Sequence, residues 1–354
     1  MVKKNIYKYS PQILYFISIT IFMLSMWLIY INQIFIIEWE LLNLGTSYLT
    51  FPLVFDIKGC LFSSVVLFIS ANVLIFSKTY IKEDKFINRF TNIVLLFILS
   101  INLLVFIPSI IILLLGWDGL GIVSFILVIY YQNSKSLAAG ILTAITNRIG
   151  DVIILLSIVL TLNQGHWNVI NIWFIDDVSN IQILMIIVAA ITKRAQIPFR
   201  RWLPAAIAAP TPVSALVHSS TLVTAGVFLL LRFYPFLHKL ELFNRVLLYL
   251  AIITIIISGL CACVEWDIKK IIALSTLSQL GLIITSLGLN MPSLTFFHIV
   301  VHAIFKALLF ICAGILINNY IHSQDLRWIG NLIHYMPITR SCRLVANLAI
   351  SGFP

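Results

Sequence analysis

The chain has 354 residues, of which 61% are hydrophobic and only 10% charged, with a formal net charge of +10. Soluble domains carry about 25% charged residues, so this composition excludes a water-facing globule and points to a lipid bilayer. The basic residues sit in short loops or singly inside apolar runs. That distribution fits anionic lipid and the positive-inside bias, and argues against nucleic acid as a partner.

The N-terminus, Met1 to Lys8, leads straight into a hydrophobic stretch with no small-residue cleavage site, so no secretory signal is expected. Apolar runs then recur at roughly 13–36, 58–78, 92–107, 109–131, 137–163, 182–206, 213–234, 244–264, 270–289 and 294–318, with another start near 340. Only helices and closed barrels satisfy the backbone in lipid, and these runs lack the alternation of barrel strands. The expected fold is therefore all-α, a polytopic transmembrane bundle of about ten spans at some 20 residues each. Between the first two runs, residues 38–56 mix β-branched, aromatic and turn-forming side chains and read as a surface hairpin. The Lys82–Lys85 cluster and Asp176-Asp177 read as solvated loops. The five cysteines lack the spacing of a metal or iron–sulfur ligand set and read as small buried hydrophobes. Pro354 falls inside an apolar segment without a polar tail, so the chain is expected to be C-terminally incomplete.

A charge at mid-membrane costs about 2.5–3.5 kcal/mol on insertion scales, which makes every intramembrane ionisable group a functional candidate. Asp118 stands in Gly116-Trp-Asp-Gly-Leu-Gly121, where glycines allow a second helix to approach; its bland alternative is a helix end near the headgroups. Lys193 precedes Pro198, Pro204, Pro210 and Pro212, within one hydrophobic stretch. Each proline removes a backbone donor, and broken helices are where transporters place ion sites. A lysine there, paired with a carboxylate at changing separation, is suited to loading and releasing a proton. His298, His302 and Lys306 repeat every four residues along one face, and a hydrated channel explains them better than zinc, for which no third ligand accompanies them. A haem site would need a partner histidine, for which His218 is the obvious candidate. Lys269 and Lys270 follow Asp267 at a helix start, where the dipole opposes them, so Lys269 reads as a channel residue and Lys270 as a headgroup contact. Arg148 and Asp151, three apart, read as a local neutralising pair.

Several long motifs carry a resemblance. Gly116 to Gly121, Asn147 to Asp151, Ala195-Gln-Ile-Pro-Phe199, Ala209 to Gly226, Asp267 to Gly281, His302 to Phe310 and Ser323 to Arg327 resemble the chain 5 family of mitochondrial NADH–ubiquinone oxidoreductases. The likeness runs from about Gly116 to the end and is weaker before it. It implies an antiporter-like subunit of a respiratory membrane arm, related to Mrp-type sodium/proton antiporters. By the same resemblance, residues 1–107 are N-terminal transmembrane helices with the hairpin near 38–56, and residues 108–354 are a truncated antiporter-like bundle with broken helices. The implied charged pair is Asp118 and Lys193, and the implied relay is His218, Lys269, His302 and Lys306. Related bacterial subunits carry Glu where Asp118 stands. No cofactor or metal is expected on this chain: NADH, FMN, iron–sulfur clusters and ubiquinone belong to other subunits. The expected partners are the other membrane-arm subunits and lipid, in the mitochondrial inner membrane. The competing readings are a stand-alone cation/proton antiporter and a haem-binding anchor.

One departure from the family stands out. Small hydroxyl residues, typically serine, are usual where Arg194, Arg200, Arg201 and Arg340 stand here. Isoleucine is abundant while methionine numbers only 6. Some animal mitochondrial codes read AGA as serine and ATA as methionine, which would account for both oddities. Those arginines, with Arg343 as a further candidate, are thus expected to be serines, and losing five of the 23 basic residues would take the charge of +10 towards +5.

Overall fold

The computed structural model describes residues 2–43, 48–82, 84, 86–162, 167–168, 180–238, 241–320, 323–330 and 332–353, with the side chains of 2–8, 43, 48, 162, 218–220, 241–242 and 333 left aside. Apolar runs of span length fold as helices because each helix satisfies its own backbone groups in lipid. In chain order they are α1 (Val2–Ile31), α2 (Ile57–Tyr80), α3 (Ile87–Phe106), α4 (Ile110–Val128), α5 (Ser134–Leu162), α6 (Asn180–Lys193), α7 (Thr211–Arg232), α8 (Glu241–Val264), α9 (Ile268–Gly288), α10 (Pro292–Asn319) and α11 (Pro337–Ser351). Among the described residues nine helices are long and apolar enough to cross a bilayer, and α6 is a shorter apolar helix. The fold is all-α and polytopic.

Two sequence-derived runs divide differently from expectation. The first was placed at 13–36, but α1 begins near the N-terminus and stops at Ile31, where Asn32 takes a left-handed φ of 55°. Strand β1 (Phe35–Asn43) follows and pairs antiparallel with β2 (Tyr48–Phe55), Phe35 opposite Phe55. The run 182–206 is not one span. It is helical only to Lys193, after which Ala195 adopts φ 54° and two short turns, Trp202–Ala205 and Ala206–Ala208, lead to α7. The prolines beyond the break lack the donors that a continuous ladder would need.

Helix α7 is the centre of the bundle. All of its apolar window is buried, against 22% for the windows of α1 and α8, whose long apolar side chains such as Phe16 and Leu260 remain exposed for lipid. Its middle, Ser214–Thr221, is wound with the wider π-helical turn: Leu222 N–H donates to the carbonyl of Val217, five residues back. Such turns free carbonyls and tend to occur at functional sites. One end of α7 is fixed by ions. Arg232 donates to both oxygens of Asp56 at 2.7 and 2.9 Å and to the Val105 carbonyl at 3.0 Å. Asp56 also caps α2 by accepting from Gly59 N–H. This bidentate, charge-assisted contact ties the end of α7 to the start of α2 and the end of α3.

Candidate functional site

The described polar interior falls into two regions on either side of the broken segment. In the first, Gly150 lets α5 approach α6, since a Cβ there would lie 2.4 Å from the Thr192 hydroxyl. That approach places Asp151, the next residue on α5, in the electrostatic reach of Lys193, the last residue of α6. Lys193 is fully buried. Its ammonium donates to the Trp117 carbonyl and lies 3.8 Å from the centroid of the Trp117 ring. Asp151 and, more weakly, Asp118 act on it as counter-charges. Arg148 spans the two acids, 3.7 Å from Asp118 Oδ2 and 3.5 Å from Asp151 Oδ2. The other oxygen of each carboxylate is buried with no hydrogen-bond partner among the described residues.

Asp118 and Lys193 are thus brought into one cluster, as the sequence suggested. Their link is not a direct ion pair, because the lysine is held at the carbonyl of the residue before Asp118. Asp151 and Arg148, read from the sequence as a local pair, also bind into this cluster. The signal was present in Asn147-Arg-Ile-Gly-Asp151: a glycine beside an acid on a membrane helix marks a close approach where a charge needs shelter.

The second region lies on α9 and α10. Lys306 is buried and donates to Ser275 Oγ at 2.8 Å. His302 is buried four residues earlier, edge-on to Phe305, with neither ring nitrogen hydrogen-bonded among the described residues. His298 is half-buried, and its Nε2 lies 3.0 Å from Gln279 Oε1. Lys269, 4% exposed, reaches the Ala209 carbonyl at 3.5 Å, a group freed by the break before Pro210. Among the described residues no carboxylate is within ion-pair distance of Lys269, His302 or Lys306. His218 falls in the wide turn of α7, but its side chain lies outside the described residues.

Lys270 sits apart, 44% exposed, 3.0 Å from Asp267 and 3.6 Å from Glu265. The hydrogen bond from Lys270 holds the Asp267 carboxyl below the usual carboxylate range. No group of three or more His, Cys, Asp or Glu that could hold a metal occurs among the described residues.

Residues 108–354 match the family model described as NADH:quinone oxidoreductase/Mrp antiporter, transmembrane, and residues 39–91 match the model for the N-terminus of complex I chain 5. The chain is 60% identical to the NADH-ubiquinone oxidoreductase chain 5 of Lumbricus terrestris over 93% of its own length and 57% of that relative. To the protein of the same name from Anopheles arabiensis it is 50% identical, covering 99% of this chain and 92% of that one. The chain spans about 60% of the length of most of these relatives. Among solved structures it is similar to a chain of the Mrp complex from Dietzia sp. DQ12-45-1b, with a TM-score of 0.83 at 24% identity over 98% of this chain and 41% of that one. It is also similar to a chain of an archaeal membrane-bound sulfane sulfur reductase, with a TM-score of 0.81 at 19% identity over 100% and 76%. At these identities the two structures speak for the fold.

Proposed function

The chain belongs to the NADH:quinone oxidoreductase/Mrp antiporter family, and on that premise we propose that it is a proton-translocating membrane subunit of a mitochondrial NADH:ubiquinone oxidoreductase. The observation that carries this reading is Lys193: fully buried at the end of a broken helix, against one carbonyl, with two carboxylates as counter-charges. A lysine is a compact donor that can give up its proton when its surroundings change. Moving the Asp118–Arg148–Asp151 group toward or away from it changes how well the ammonium is stabilised. Protons leaving Lys193 would pass the broken segment to Lys269, His218, His302 and Lys306; the Ala209 carbonyl at Lys269 and the Ser275 hydroxyl at Lys306 support transfer through a hydrated path.

Each proton moved works against about 2.3 kcal/mol per 100 mV. That energy would come from electron transfer from NADH to ubiquinone, whose flavin and iron–sulfur cofactors belong to other subunits. The partners in this reading are the remaining membrane-arm subunits and anionic lipid of the mitochondrial inner membrane. In the complete complex, Lys193→Ala should abolish most proton pumping while NADH oxidation by an artificial acceptor stays near the parent level. Pumping at the parent level would remove Lys193 from the path. The family model matched by residues 108–354 also takes in Mrp antiporters, which supports a second reading, a stand-alone cation/proton antiporter. Purification of the chain free of any redox assembly, with cation/proton exchange intact, would select it.

A further inference from the structure

Among the described residues, Arg194 is a fully buried cation whose surroundings offer it almost nothing. It follows Lys193 at the end of α6, and its side chain is fully buried. The guanidinium makes one long hydrogen bond within its own helix, Nε to the Ala190 carbonyl at 3.3 Å. Both terminal nitrogens, Nη1 and Nη2, are buried without an acceptor among the described residues. No carboxylate lies within ion-pair distance of it among the described residues, and no counter-charge acts on it. Because the side chain is enclosed by atoms of this chain, a neighbouring subunit or a further segment has no surface of Arg194 left to reach.

Helix α7 packs closely here without supplying an acceptor: a Cβ built on Gly226 would lie 2.9 Å from the Arg194 Cγ and 3.0 Å from the Ala190 carbonyl, so the glycine leaves room for the side chain and offers it no polar partner. Buried guanidinium requires paired acceptors, because leaving donors unmade in a dry interior is what destabilises it. A small hydroxyl has no such requirement. Throughout this bundle serine and threonine side chains donate to carbonyls three or four residues back, as Thr192 does to Ala189 and Ser258 to Thr254. The Ala190 carbonyl stands ready for a serine at 194 to do the same.

We infer that position 194 of the protein made in the organelle is serine, its codon being one of the AGA/AGG pair that some animal mitochondrial codes translate as serine. The structure ranks the other arginines. Arg200 is half-buried with Nη1 unpartnered and only a sulfur, Cys261 Sγ at 3.8 Å, near Nη2. Arg201 and Arg340 are exposed, so no burial argument bears on them.

Two measurements decide the matter. The codon for residue 194 must be AGA or AGG, and any CGN codon overturns the inference. Mass spectrometry of the chymotryptic peptide ending at Trp202, taken from the natural complex, should give serine at 194. Arginine, or any other residue there, refutes it. A consequence can be tested by expression: Arg194→Ser in the full-length chain should raise the yield of assembled complex severalfold, and equal yields would show that the fold does accommodate the guanidinium.

Discussion

The two buried lysine regions solve opposite problems. Around Lys193 the fold supplies acids: Asp151 and Asp118 act on the ammonium, and Arg148 at the rim spans both. Around Lys306 the described residues supply a serine hydroxyl, the ring of Phe305 and two histidines, with no acid at ion-pair distance. A buried charge with a partner becomes a liability for that partner once it is removed, whereas a buried charge without one is a liability by itself. Neutralising the lysine should therefore strand carboxylates in the first region and relieve the second. In the proposed mechanism the first region holds a charge at rest and the second passes one on.

The largest stability effect should follow from breaking the first region on its acid side. Asp151→Asn keeps the volume and removes the stronger counter-charge of Lys193; since the two make no direct ion pair, the loss should be about 1–2 kcal/mol, below the roughly 3–5 kcal/mol of a direct buried pair. Detergent-purified complex should lose its membrane arm at lower temperature, and an unchanged melting curve would mean that Asp151 does not compensate Lys193. In the second region Lys306→Met removes a buried cation with no acid to strand. Its melting temperature should match or exceed the parent, within about 1 kcal/mol, while proton pumping falls. A clear loss of stability would reveal a counter-charge on Lys306.

The smallest effect belongs to the surface pair of Asp267 and Lys270, a useful baseline because neither is deeply buried. The hydrogen bond from Lys270 holds the Asp267 carboxyl below its ordinary value. Its contribution is therefore complete above about pH 4, the unfolded value, and disappears as pH falls through the lower folded value. Asp267→Asn should cost well under about 1 kcal/mol at neutral pH and flatten only the acid limb of a stability profile.

How legible all this was depended on whether a signal was local. Apolar runs are local, so the helices were readable from the sequence, and so was the mixed segment that pairs Phe35–Asn43 with Tyr48–Phe55. The end of α6 was half legible. Its prolines announced a break, but the stop at Lys193 and the left-handed Ala195 depend on packing against α5 and α7. Lys193 and Asp118 stood out in the sequence because each is costly alone. Asp151 was undervalued because Arg148, three residues away, seemed to satisfy it, and no pattern within α5 tells that a lysine arrives from another helix. The Ala209 carbonyl under Lys269 is a backbone group and carries no sequence signature beyond the proline that follows it.

The central claim is that Lys193 works by releasing its proton, beyond merely carrying charge. The direct test is the proton-to-electron ratio of a complete complex bearing Lys193→Arg. A guanidinium keeps the positive charge opposite Asp151 and Asp118 but holds its proton at any physiological pH. The account predicts an assembled complex of near-parent stability that oxidises NADH with an artificial acceptor and pumps far fewer protons per electron. Pumping at the parent ratio would contradict it, because the residue would then serve as a fixed charge alone.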